Sequence, residues 1–193
     1  MTVLQIAVAI LVGFTFHEFA HAAVANMLGD PTAKDQGRMT LNPLKHLDVL
    51  GTIMIFIARI GWGKPVPVNH SNLKNQTWGP VLVSVAGPFS NFLIAILAAW
   101  SLKNGLFTGL LGEFVYAIFL YNILLGVFNL LPIPPLDGSH IVSAILPPSL
   151  RESYESVGAY GIIIIFLGLY FLPGGFSFVF GPILEFFTAL FLI

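Results

Sequence analysis

Residues 2–28 read TVLQIAVAILVGFTFHEFAHAAVANML, a run whose one charged residue is Glu18, set between His17 and His21. At about 1.5 Å per residue, an apolar helix of this length crosses the roughly 30 Å hydrocarbon core of a bilayer. Gly29-Asp30-Pro31 then supplies a helix stop and a turn. Ala23-Val24-Ala25 imitates a leader cleavage site, but a leader needs basic residues before its apolar part. None is present, and its hydrophobic region would run into His17-Glu18. The stretch predicts one membrane helix over 2–28.

The rest of the chain agrees with that reading. Of 193 residues, 56% are hydrophobic and 9% charged, with a mean hydropathy of +0.89. Soluble domains carry about a quarter charged residues, so an all-α polytopic membrane protein is expected. Uncharged runs over 75–102 and 114–136 contain spanning helices at 79–102 and 113–131, and a third run covers 156–184. A short amphipathic piece is expected at 138–146, and a C-terminal helical pair at 157–172 and 176–193, broken by Pro173-Gly174-Gly175. Glu185 in the last block either faces the bundle or places that block at the interface. The expected organisation is a single membrane domain over 1–193, with its core in 1–148 and an apolar hairpin in 157–193.

Residues 30–77 hold Lys34, Arg38, Lys45, Arg59, Lys64 and Lys74, six of the eight basic residues. Within this region 49–62 is apolar but too short to cross easily, and its β-branched, Gly-flanked character predicts a re-entrant or β segment near 49–69. The prolines of Lys64-Pro65-Val66-Pro67-Val68 exclude a helix there. The positive-inside rule places the loop in the cytoplasm, with 2–28 entering from outside. A formal charge of −1 argues against nucleic-acid binding. The absence of cysteine excludes disulfides, thiolate metal sites and cysteine catalysis.

His17-Glu18-Phe19-Ala20-His21 is an HExxH pattern on the predicted helix. Four-residue spacing puts both imidazoles on one face, one turn apart, where they can share a zinc ion, with Glu18 beside a metal-bound water. The motif lies about 10–16 Å inside the helix end near Leu28. Two histidines and a glutamate at that depth are costly unless a cation or a water-filled cavity compensates them. That cost outweighs reading them as merely hydrogen-bonded polar residues. A catalytic zinc needs a third protein ligand and one open position. The candidates are the remaining carboxylates with His46, His70 and His140. Asp137 is the best of them, because it follows a membrane helix within Asn129-Leu130-Leu131-Pro132-Ile133-Pro134-Pro135-Leu136-Asp137-Gly138, whose prolines unwind the chain and allow a side chain to turn inward. Taken alone, Asp137-Gly138 reads equally well as a turn or an N-cap. Beside an HExxH that lacks a ligand, the metal role prevails.

HEFAH paired with NLLPIPPLDG resembles the site-2 protease family of intramembrane zinc metalloproteases. The resemblance extends to Ala86-Gly87-Pro88-Phe89-Ser90-Asn91, Gly29-Asp30-Pro31-Thr32-Ala33-Lys34, Leu41-Asn42-Pro43 and Gly63-Lys64-Pro65-Val66-Pro67-Val68-Asn69, as in short bacterial and archaeal members. It covers about residues 13–148. It implies a three-helix catalytic core, Zn2+ held by His17, His21 and Asp137, Glu18 as general base, and cleavage of membrane protein substrates within or beside the bilayer. Many members carry a membrane helix before HExxH and a PDZ or CBS domain; the chain as read here is expected to have neither. The competing reading is a non-proteolytic membrane protein that transports or senses zinc, or holds membrane segments. An intact Glu18 argues against passive holding.

Asn91 has two readings: an amide donor to an oxyanion or substrate backbone, which the resemblance favours, or an interhelical hydrogen bond beside a small-residue seam at Ala86 and Gly87. Asn129 is expected to satisfy backbone groups freed by the prolines. His140 reads as a residue behind the ligands or at the surface, since a fourth protein ligand would close the catalytic position. His46 and His70 read as loop residues.

Overall fold

In the computed structural model, which describes residues 1–58, 62–158, 160–161, 167, 171 and 174–192, helix α1 spans Val3–Met27. It opens on a capping box: Gln5 N–H donates to Thr2 Oγ1, and Thr2 N–H donates to Gln5 Oε1. It closes on Gly29 at a φ of 109°, a conformation that favours glycine, with the Asp30 amide returning to the Ala25 carbonyl. Asp30 is fully buried just beyond, where it accepts hydrogen bonds from the Thr32 amide and hydroxyl, the Asn69 amide and the Asn72 side chain. Burial works against its ionisation, but these donors outweigh it and hold its carboxyl below the usual carboxylate range. The carboxylate ties the end of α1, and the short helix α2 (Thr32–Asp35), to the segment that leads into the next spanning helix.

Helix α3 covers Val49–Ala58, which rules out the β alternative for this stretch and leaves the short, non-crossing one. Asp48 starts the helix: its carboxylate accepts the Gly51 amide and its carbonyl accepts the Thr52 amide, and this local capping overrides the β-branched composition. Ten residues make about 15 Å of helix, half of what the hydrocarbon core requires. Val49, Leu50, Ile53, Phe56 and Ile57 form an exposed apolar stripe along it. Among the described residues no strand occurs, and the pairing in this region is a single antiparallel bridge between Leu47 and Gly63. Residues 64–69 are free of helix, as the prolines require.

Helices α4 (Trp78–Lys103) and α5 (Gly109–Asn129) follow, and with α1 they are the three described helices long and apolar enough to cross a membrane. Ala95, Ala98 and Ala99 of α4 bring it close to Phe119 and Ile123 of α5 in the principal apolar core. Short helices α6 (Gly138–Ile145) and α7 (Pro148–Glu155) come next, the first where the amphipathic piece is expected. Helix α8 (Gly175–Leu192) packs Ile183, Phe187 and Phe191 onto the α4–α5 core, with Phe187 stacked on Phe92. Glu185 on α8 is exposed rather than turned into the bundle. The expected first limb of the C-terminal pair, 157–172, lies largely outside the described residues.

Candidate metal centre

One helical turn separates His17 and His21 on α1, and both are buried with their rings edge to face, 4.5 Å apart between centroids. The Nδ1 atom of His21 lies 2.7 Å from the Val83 carbonyl of α4, so it must carry the hydrogen. Pro88 lies inside α4 and has no amide for the Ser84 carbonyl, which loosens the helix ladder beside Val83. The Nδ1 atom of His17 lies 2.8 Å from Oδ1 of Asn91. Each ring therefore spends its N–H on a neighbour and presents a bare Nε2.

The two Nε2 atoms lie 2.9 Å apart, and Oδ2 of Asp137 completes a triangle at 3.1 Å from His17 and 3.4 Å from His21. Asp137 occupies the N-cap position of α6 but makes no capping bond, so its side chain is directed at the imidazoles instead. The prolines end α5 and fold the chain back. Gly138 makes that fold possible, since a Cβ there would collide with the Leu130 carbonyl. Three electron-pair donors thus converge, and Asp137 Oδ2 is buried without a hydrogen-bond donor.

This arrangement asks for a cation. Zinc bonds of about 2.0–2.2 Å at tetrahedral angles would hold ligand atoms roughly 3.3–3.5 Å apart, close to the observed spacings. Among the described residues, His17, His21 and Asp137 are the group of three or more metal-ligating side chains within reach of one ion. Gly87 floors the site: a Cβ there would collide with His21 Nε2 and lie 2.6 Å from Cε1 of His17. The donor set and the space beneath it both fit a zinc ion with an open position.

Glu18 lines the same cavity, of about 350 Å³, and is buried. Its Oε2 accepts the Val66 amide at 2.7 Å, so the proline-flanked segment anchors one carboxylate oxygen. Pro65, Val68, Asn129 and Pro135 also line the cavity. The Asn129 amide donates to the Leu125 carbonyl one turn back. His140 and His70, with rings 5.6 Å apart, line this cavity and also a smaller chamber of about 190 Å³ bounded by Arg151 and Glu155. Burial, then the neighbouring His70, push the His140 pKa below the usual imidazole range. His46 follows a 3-10 turn at Pro43–Lys45, as a loop residue should, but is buried and lies 2.7 Å from the Thr40 carbonyl through Nε2.

Both heteroatoms of Asn91 are engaged. Oδ1 meets His17, and Nδ2 donates to the Gly13 carbonyl at 3.2 Å and to Asn122 Oδ1 at 2.9 Å. The parts that sequence reasoning missed are the Val66 amide, the Val83 carbonyl, the space over Gly87 and Asn122. The first two are backbone atoms and leave no trace in residue type. The four-residue spacing of Gly87 and Asn91 did place both on one face of α4.

Peptidase family M50 matches residues 103–172, which include Asp137. The protein named Putative zinc metalloprotease YwhC, from Bacillus subtilis (strain 168), is 43% identical over 187 residues, covering 92% of this chain and 84% of its own. The similarly named Rip2 of Mycolicibacterium smegmatis is 32% identical, covering 80% of this chain and 62% of its own. Rip2 of Mycobacterium tuberculosis (strain H37Rv) is 31% identical over 84% of this chain and 65% of its own. The chain spans most of YwhC and just under two thirds of either Rip2 protein. No solved structure matches it.

Proposed function

Because this chain belongs to peptidase family M50, a zinc-dependent metalloprotease family, we propose that it is a site-2-type intramembrane protease that hydrolyses peptide bonds of membrane-embedded segments. The observation that carries the reading is the triangle of His17 Nε2, His21 Nε2 and Asp137 Oδ2, opening onto a cavity that also holds Glu18. When bound there, zinc supplies a Lewis acid that activates water and polarises a carbonyl. His17, His21 and Asp137 would hold the ion. Glu18 accepts the proton of the attacking water on the oxygen that Val66 leaves free, and returns it to the leaving amine. Asn91 keeps His17 in its ligating form instead of donating to an oxyanion, since its two N–H bonds are spent on Gly13 and Asn122.

A membrane helix conceals its peptide bonds, so the substrate must unwind before attack. The helix-free segment 64–69 beside the cavity offers a backbone along which an unwound chain lies extended. Zinc transport is less well supported: buried Ile6, Ile10 and Phe119 fill the bundle between Asn122 and the Gln5–Glu113 hydrogen bond near the other end. The functional test is cleavage, by the purified chain with zinc, of a transmembrane peptide weakened by a mid-helix Gly-Pro, compared with the same peptide carrying Leu-Leu. The weakened peptide should be cut faster, and cutting of neither would contradict the proposal.

The described residues of the basic loop 30–77 lie at the end of the bundle where α1 stops, with the Lys74 amide bonded to the Leu28 carbonyl. Excess basic charge at that end supports a cytoplasmic site in a cell membrane. In intact cells, single cysteines introduced at Lys34 and Lys74 should resist an impermeant thiol reagent, and one at Lys103 should react. Labelling at Lys34 from outside would reverse the orientation.

A further inference from the structure

Asn122 of α5 is fully buried, and neither the ligand triangle nor the cavity lining includes it. Its Nδ2 donates to the Ile118 carbonyl at 2.8 Å, one turn back on the same helix. A backbone carbonyl only accepts, so this contact fixes which end of the Asn122 amide is nitrogen. The Asn122 oxygen is then aimed at Asn91, 2.9 Å away, and must be met by the Asn91 nitrogen. The Gly13 carbonyl, 3.2 Å from the same nitrogen, requires the same orientation. With both of its hydrogens committed, Asn91 has its oxygen facing His17 Nδ1 at 2.8 Å. An acceptor at Nδ1 keeps the proton there and leaves Nε2 bare for a metal. Turning either amide over would set N–H against N–H or carbonyl against carbonyl inside the bundle.

Packing makes the relay close-fitting. A Cβ on Gly13 would lie 3.2 Å from Asn122 Oδ1 and 3.5 Å from Asn91 Nδ2, besides crowding Leu125. The glycine lets α1 approach α5 closely enough for its own carbonyl to join the network.

We propose that Asn122 is a positioning residue for the metal centre, selecting the zinc-binding tautomer of His17 through Asn91. This rests on the reading of His17 as a zinc ligand and extends it to a residue two hydrogen bonds away. Breaking an outer hydrogen bond to a ligating histidine costs about 10–100-fold in metal affinity. Asn91→Leu should fall in that range. Asn122→Leu should lose roughly 3–10-fold, because Gly13 still holds one Asn91 hydrogen.

The test is a double-mutant cycle in zinc affinity, measured by chelator competition on the full chain in detergent. Since Asn122 acts only through Asn91, the double variant should bind zinc no more weakly than Asn91→Leu alone. Asn122→Asp, which in its protonated form both donates to the Ile118 carbonyl and keeps an oxygen toward Asn91, should bind within about threefold of the parent. The cobalt(II)-substituted chain should show altered visible bands in Asn122→Leu and not in Asn122→Asp. Where Asn122→Leu does not fold, Asn122→Ala makes the same cut and carries the same expectations. Losses that multiply in the double variant would overturn the relay, as would Asn122→Leu binding like the parent or Asn122→Asp losing as much as Asn122→Leu. A parent chain that binds no zinc would overturn the site itself as well. A zinc-binding parent indifferent to Asn122 would overturn the relay alone.

Discussion

Glu18→Gln is expected to leave zinc content unchanged and to slow cleavage of a membrane peptide by at least about 10²-fold. The substitution preserves most of what surrounds the residue. A glutamine carbonyl still accepts the Val66 amide that now meets Glu18 Oε2 at 2.7 Å, and the side chain keeps its length. What disappears is the capacity to accept a proton. Glu18 lies outside the three-atom ligand group, so metal content is the internal control. Metal per chain and cleavage rate, measured on one preparation, decide the matter. Parental cleavage by the variant would remove Glu18 from the mechanism.

The second large effect is on the metal. Asp137→Ala should reduce bound zinc to well below one per chain, with affinity falling by more than the roughly 10²-fold typical of losing an outer partner. Two neutral imidazoles without a carboxylate form a weak site, and Asp137 Oδ2 has no hydrogen-bond donor to account for its position otherwise. Elemental analysis of the purified variant provides the number. Undiminished zinc would transfer the third-ligand role to another residue, with His140, which lines the same cavity, first in line.

Much of this architecture is legible in the sequence, for reasons that differ between elements. The spanning helices are visible because a bilayer demands long uncharged runs, and α1, α4 and α5 end within a few residues of the expected bounds. His17, Glu18 and His21 announce themselves by spacing, and Asp137 by being a carboxylate where prolines break a helix. For residues 49–58 the sequence leaves a strand and a re-entrant segment both open, because β-branched composition reports a preference for strands, whereas one carboxylate at Asp48 suffices to start a helix. His46 reads as a loop residue and does lie in a loop, but burial of its side chain depends on contacts that residue order does not reveal.

The candidate site divides in the same way. The proposed side-chain ligands follow from motif and depth, while their supports are largely backbone atoms: the Val83 carbonyl under His21, the Val66 amide on Glu18 and the Gly13 carbonyl on Asn91. Any residue type offers those atoms, so only the fold identifies them. Asn91 illustrates the limit. Its depth and spacing mark it as significant, but whether it donates to substrate or accepts from a ligand depends on Asn122, which lies 31 residues away in the chain.

The measurement closest to the central claim is the position and metal dependence of the cut. The parent chain is incubated in liposomes with a transmembrane peptide, before and after zinc is stripped by chelation and restored to one equivalent, and the fragments are weighed by mass spectrometry. The account predicts cleavage inside the apolar segment, its loss on chelation and its recovery with zinc. Cleavage that persists without zinc, or that falls only in the soluble flanks of the peptide, would contradict it.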